Sequence, residues 1–136
     1  MIYLDSAAVI KLIREEDETP ELVDYLNARG DERLVASALI EVEVPRALRR
    51  SEPAVLGSVA ATIARIDRVE IDSAVRATAA AYTDPHLGSL DAIHLATADH
   101  LLASGKRLSA FVTYDKRLAN HAGELSVVIA APGQAA

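Results

Sequence analysis

Four acidic residues sit where the pattern of the chain makes acids unusual. The opening MIYLDSAAVIKL starts with an apolar run, Met1-Ile2-Tyr3-Leu4, that reads as a short buried strand yet ends in Asp5. Near the other end, Ala110-Phe111-Val112-Thr113 reads as a second buried strand, and Asp115 follows it two residues on. Glu43 lies on a helical pattern from about Ala38 to Arg50, and Asp91 falls in the first turn of a helix expected over Leu90 to Ala103. Carboxylates gathered together repel one another unless cations sit among them. Hard cations such as Mg2+ and Mn2+ take oxygen ligands and keep several waters, so a few Asp and Glu side chains suffice to hold one.

Each acid also has an ordinary reading. Asp5 and Asp115 are good N-caps for the helical patterns behind them. Asp91 lies just after Ser89, where the helix dipole favours negative charge by about 0.3–1 kcal/mol. Glu43 has Arg46 three positions on, the spacing of a surface ion pair. Singly, caps are commoner than ligands; two strand ends and a helix start on one sheet shift the weight toward a shared site. Glu41 and Glu43 cannot both point into it, because residues two apart on a helix are separated by about 200°. Glu43 shares its face with Leu39, Ile40 and Ala47 and is favoured, although Val44 and Leu48 lie near Glu41. Pro45 removes an amide donor and meets the carbonyl of Glu41, which predicts a kink just past Glu43. His94, about one turn beyond Asp91, reads better as a surface or packing histidine than as part of the site.

The elements that must carry these residues alternate. After the first strand and its helix, Pro20 stands near the start of a helix over Glu21 to Arg29 that Gly30 stops. Leu34-Val35-Ala36 is a strand candidate, and Pro53 opens a helix with Val55, Leu56, Val59, Ile63 and Ile66 on one stripe. That stripe suits core packing or a partner. Val69-Glu70-Ile71 reads as a brief strand or a connector, and Asp72 or Ser73 caps an Ala-rich helix ending near Tyr82. Residues 83–89 form a loop, Ser89 is the expected cap of the next helix, and Gly105 ends it. A short helix over Asp115 to His121 and a strand over Ser126 to Ile129 complete a single domain, 1–132, with a tail over 133–136. Such alternation predicts an α/β sandwich with a mostly parallel sheet, whose sites lie beyond the carboxyl ends of the strands. Asp5 and Asp115 both lie at such ends.

Composition narrows the classes. With 136 residues and 51% hydrophobic content the chain can build one normal core, and with 4% aromatics that core is mostly Ala, Val, Leu and Ile. There is no Cys, which removes disulfides, thiolate metal sites and Cys nucleophiles. The four His lack a zinc-site spacing. No signal peptide is visible and no run approaches the roughly 20 apolar residues of a membrane helix, so a soluble cytoplasmic protein is expected. A net charge of −6 argues against nucleic-acid binding unless cations invert the local field. Basic residues do cluster, at Arg46, Arg49 and Arg50, at Arg65 and Arg68, at Lys106 and Arg107, and at Lys116 and Arg117.

On these residues the chain resembles a PIN-domain ribonuclease, specifically a VapC-type toxin of a bacterial toxin–antitoxin pair. The matching stretches are MIYLDSAAVIKL, VASALIEVEVPRALRR, LGSLDAIHLATA and VTYDKRL, in the family's order and across nearly the whole chain. The resemblance implies a PIN-like three-layer α/β/α sandwich and an acidic set on Asp5, Glu43, Asp91 and Asp115, with Ser6 and Thr113 orienting carboxylates or waters. It implies Mg2+ or Mn2+ as cofactor, hydrolysis of RNA, possibly transfer RNA, a VapB-type antitoxin and a homodimer. The rival within the fold is a PIN-like module that binds RNA or protein without cutting. A phosphoacceptor receiver domain wants a second acid beside Asp5, and a DxD phosphatase wants one at position 7; here the neighbours are Leu4 and Ala7.

Overall fold

The computed structural model describes residues 1–134; Ala135 and Ala136, the end of the expected tail, lie outside the described residues. Five short strands form one parallel sheet: β1 (Ile2–Leu4), β2 (Leu34–Ser37), β3 (Asp67–Val69), β4 (Ala110–Val112) and β5 (Ile129–Ala130), in the order β3-β2-β1-β4-β5. The helices are α1 (Ser6–Ile13), α2 (Thr19–Asn27), α3 (Ile40–Ser51), α4 (Val59–Ala64), α5 (Ser73–Ala81), α6 (Ser89–Ala103) and α7 (Lys116–Gly123).

The period-2 pleat builds two cores from the same strands. Ile2 and Leu4 of β1, Ala36 of β2, and Ala110 and Val112 of β4 point to one side, where they meet Val9, Leu22, Ile40, Val44, Leu48, Val59 and Ile63 from α1 to α4. Tyr3, Val35 and Phe111 point to the other, against Leu95, Ala98 and Leu101 of α6 and Leu118 and Ala122 of α7. Helices thus cover both faces of a parallel sheet, as such sheets require.

Helix starts follow local chemistry. Asp5, Asp72 and Asp115 each accept a backbone N–H, from Ala8, Val75 and Leu118 respectively, all at 2.9 Å. Gly105, at φ +84°, closes α6 in the left-handed region that a side chain disfavours.

Several sequence expectations shift. Gly88, not Ser89, occupies the cap of α6, with no side-chain capping bond, and Ser89 is the first helical residue. The Pro53 segment divides into a 3-10 stretch, Pro53–Ser58, before α4, because Gly57 and Ser58 interrupt the regular pattern. Most of its stripe belongs to the core: Val59, Ile63 and Ile66 are buried in the cluster under α1 and α3, and Val55 and Leu56 pack against it partly buried. The third strand lies at 67–69 rather than 69–71, because an edge position tolerates Asp67 and Arg68 in the ladder. The last strand is Ile129–Ala130, after Ser126 takes a left-handed turn at φ 61°. The helix carrying Glu43 runs on through Pro45 to Ser51. Among the described residues no helix is long and apolar enough to cross a membrane.

Candidate metal centre

Parallel strands deliver all their carboxyl ends to one edge of the sheet. Because β1 pairs with β4, with Leu4 opposite Val112, the residues that follow those strands are neighbours. Asp5 and Thr113 therefore meet across 108 positions of sequence: Thr113 Oγ1 donates to Asp5 Oδ2 at 2.6 Å. Ala8 N–H occupies Asp5 Oδ1, so Asp5 is both the cap of α1 and a fixed carboxylate at the sheet edge. The cap reading and the site reading are compatible. Thr113 Oγ1 also accepts the Asp115 N–H at 3.2 Å, tying the second strand end to the first.

Glu43 reaches this edge from α3. Its Oε1 accepts Ser6 Oγ–H at 2.6 Å and lies 3.0 Å from His94 Nε2. Glu41 instead points outward, 3.9 Å from Arg68. Asp91 is half-buried in the first turn of α6, whereas Asp115 is exposed and accepts the Leu118 N–H as the cap of α7.

The electrostatics tie the four acids together. Burial pushes the Asp5 carboxyl up, against the Thr113 and Ala8 hydrogen bonds that favour its ionised form. Burial also raises Asp91, and the negative charges of Asp115, Asp5 and Glu43 add to the shift, with His94 opposing. Glu43 goes the other way: burial would raise it, but the His94 and Ser6 hydrogen bonds outweigh that and hold it below the usual carboxylate range. Among the described residues no group of three or more His, Asp or Glu side chains is drawn close enough to hold a metal ion. The acids share one electrostatic neighbourhood without closing a cage. Their donor set still fits a hard divalent cation: the edge presents carboxylate oxygens, and the mutual repulsion expressed at Asp91 is a cost that positive charge relieves.

Asp5→Ala is expected to unfold about 0.5–2 kcal/mol more easily than Asp5→Asn, since Asn retains the cap of α1. Urea denaturation of the two variants measures the difference. Equal stabilities would mean that the Ala8 hydrogen bond contributes nothing.

Of the two readings of His94, the structure keeps packing and rejects surface, and the His94 ring also meets Glu43. It is 2% exposed and lies within hydrogen-bond distance of Glu43, Ser6 and Tyr3. The signal was present in α6: Asp91, His94, Ala98 and Leu101 follow at three and four residues, which places His94 on the inward face. Tyr3 was legible only as a core strand residue, because its polar tip is a tertiary matter.

Comparison with known proteins agrees with this architecture. A profile of the PIN domain matches residues 2–124. Ribonuclease VapC35 of Mycobacterium tuberculosis is 52% identical over 135 residues, covering 99% of both chains. Ribonuclease VapC46 of the same organism is 37% identical over 131 residues, covering 96% of this chain and 97% of that one. At the level of fold alone, the crystal structure of VapBC2 from Rickettsia felis bound to a DNA fragment from their promoter superposes with a TM-score of 0.61. It covers 96% of this chain and 98% of that one at 13% identity. With a family profile over residues 2–124 and two full-length relatives in agreement, this chain belongs to the PIN-domain family, in its VapC-type branch.

Proposed function

We propose that the protein is a Mg2+- or Mn2+-dependent endoribonuclease, the toxin of a type II toxin–antitoxin pair, acting on cytoplasmic RNA and restrained by a VapB-type antitoxin. The observation that carries this reading is the paired strand end, where Thr113 fixes Asp5 while Glu43, Asp91 and Asp115 share the same edge. It occurs in a chain 52% identical to a named ribonuclease.

Asp5, Asp91 and Asp115 would hold the cation, with Glu43 completing the set directly or through water. A divalent ion bound there supplies a water acidified for attack on phosphorus and positive charge for the phosphate oxygens. The remaining work falls to the chain. Thr113 and Ala8 occupy one lone pair on each Asp5 oxygen and so fix its rotamer. Ser6 holds Glu43. The net charge of −6 is offset locally by Arg46 and Arg50, which line a groove beside Glu43 and suit phosphates of the bound strand.

The antitoxin part of the reading draws support from the same groove. Ala7, Ile10, Leu39, Val42 and Leu90 give it an apolar floor, and Val42 is 56% exposed, which suits an amphipathic segment. A homodimer follows from the family resemblance, and transfer RNA is the expected substrate class on the same ground.

Purified protein supplied with Mg2+ or Mn2+ should cut RNA internally. EDTA should stop the reaction, and the co-expressed antitoxin should inhibit it. Metal binding without any cleavage across a panel of structured RNAs would favour the non-catalytic module instead.

A further inference from the structure

Behind the acidic edge runs a chain of buried side chains that the reaction above does not use. Tyr3 stacks on Phe111 with ring centroids 4.8 Å apart and meets the His94 ring edge-on at 5.9 Å. Its phenolic oxygen accepts the Ser37 N–H at 3.2 Å and lies 2.7 Å from His94 Nδ1. The other ring nitrogen, Nε2, lies 3.0 Å from Glu43 Oε1 and 3.1 Å from Ser6 Oγ. Among the described residues every buried side-chain nitrogen and oxygen has a hydrogen-bond partner.

The protons in this chain can be assigned by counting donors. The backbone N–H of Ser37 only donates, so the Tyr3 oxygen accepts there, and its single proton is left for Nδ1 or for the nearby Thr97 hydroxyl, whose own proton goes to the Ile93 carbonyl. The single proton of Ser6 goes to Glu43 at 2.6 Å, which leaves lone pairs of Ser6 facing Nε2. Nε2 then faces two acceptors, a carboxylate oxygen and a hydroxyl oxygen, and must itself carry a proton. Nδ1 is matched by the Tyr3 hydroxyl in either charge state of the ring, since that hydroxyl donates to a bare Nδ1 and accepts from a protonated one. The opposite tautomer would set a bare nitrogen against the Glu43 carboxylate inside the protein, an unfavourable contact where polar interactions are little screened. The second nitrogen of a histidine thus fixes what the first one does.

We propose that His94, held by Tyr3 with its proton on Nε2, is a positioning residue that joins Ser6 in fixing one Glu43 oxygen and so aims the other at the cation. At 2% exposure the imidazole touches neither RNA nor solvent, so it acts only through Glu43. The consequence for catalysis rests on the nuclease reading; the proton arrangement does not.

Two measurements test it. Long-range 1H–15N correlation spectra of the metal-free protein should show His94 protonated at Nε2. The reverse tautomer would overturn the proposal. His94→Leu, which has no donor, should lose about 10–100-fold in Mn2+ affinity or in kcat, with KM for RNA unchanged. His94→Gln places an amide N–H near the same spot and should recover most of the loss. Equal losses in both variants, or none in either, would overturn the positioning role. If His94→Leu fails to fold, Tyr3→Phe serves in its place: it keeps the ring stack and removes only the phenol. It should loosen the imidazole, which then holds Glu43 less firmly, and weaken Mn2+ binding; an unchanged Mn2+ affinity would count against the proposal. A wild-type protein with the Nε2 proton and Mn2+ binding but no RNA cleavage would sink the nuclease reading alone. Cleavage by a protein with the reverse tautomer would sink the positioning role alone.

Discussion

Asp91→Asn is expected to abolish metal-dependent RNA cleavage, by about a hundredfold or more, while leaving the fold intact. Groups that merely orient a metal ligand cost about 10–100-fold when removed, and a direct ligand should cost at least the upper end of that range. Asn preserves the shape of Asp but not its charge. Asp91 is half-buried, and its carboxyl is raised first by burial and then by the charges of Asp115, Asp5 and Glu43, so removing its negative charge weakens the attraction of this edge for a cation. The helix tolerates the change, since Ala92 N–H already bonds the Gly88 carbonyl and no capping bond depends on the Asp91 side chain. Superposable circular dichroism with no cleavage at saturating Mn2+ is the expected outcome. Cleavage at the wild-type rate would remove Asp91 from the site.

The same substitution should stabilise the metal-free protein at neutral pH. Burial, followed by the charge of Asp115, raises the Asp91 carboxyl in the folded chain above its unfolded value. Below the unfolded value the group is protonated in both states and costs nothing. As pH rises through the folded value, ionisation is easier in the unfolded chain, and folding stability is lost. Asn cannot ionise and escapes that loss. The Tm of Asp91→Asn should therefore exceed that of wild type at pH 7, with the gap closing as the solution is acidified below the unfolded value. Asp5 carries a shift of the same sign and Glu43 one of opposite sign, so the difference between variant and wild type isolates Asp91. Mn2+ should reverse the ranking. A ligand at a hundred times its Kd stabilises the state that binds it by about 2.7 kcal/mol, and the variant should gain far less. A variant less stable than wild type at every pH would contradict the repulsion inferred at Asp91.

Much of the architecture is written locally. The apolar runs Ile2–Leu4 and Ala110–Val112, the caps Asp5, Asp72 and Asp115, and the stop at Gly105 are short-range features, and each forms near its expected place. Strand alternation with helices is enough to imply a parallel sheet with helices on both faces. The weak points are equally local. Asp67 and Arg68 disguise an edge strand that lies beside β2 rather than between two neighbours, and Gly57 and Ser58 break a helix whose apolar spacing looks continuous.

The sequence by itself determined which residues end strands and begin helices, and hence which acids stand at the edge of a parallel sheet. Only the tertiary structure decided that β1 lies beside β4, so that Thr113 holds Asp5, and that α3 and α6 turn Glu43 and His94 toward Ser6. The physical reason is range. Caps and strand periodicity involve residues a few positions apart, whereas these contacts join residues 37 to 108 positions apart and form only once both faces of the sheet have packed.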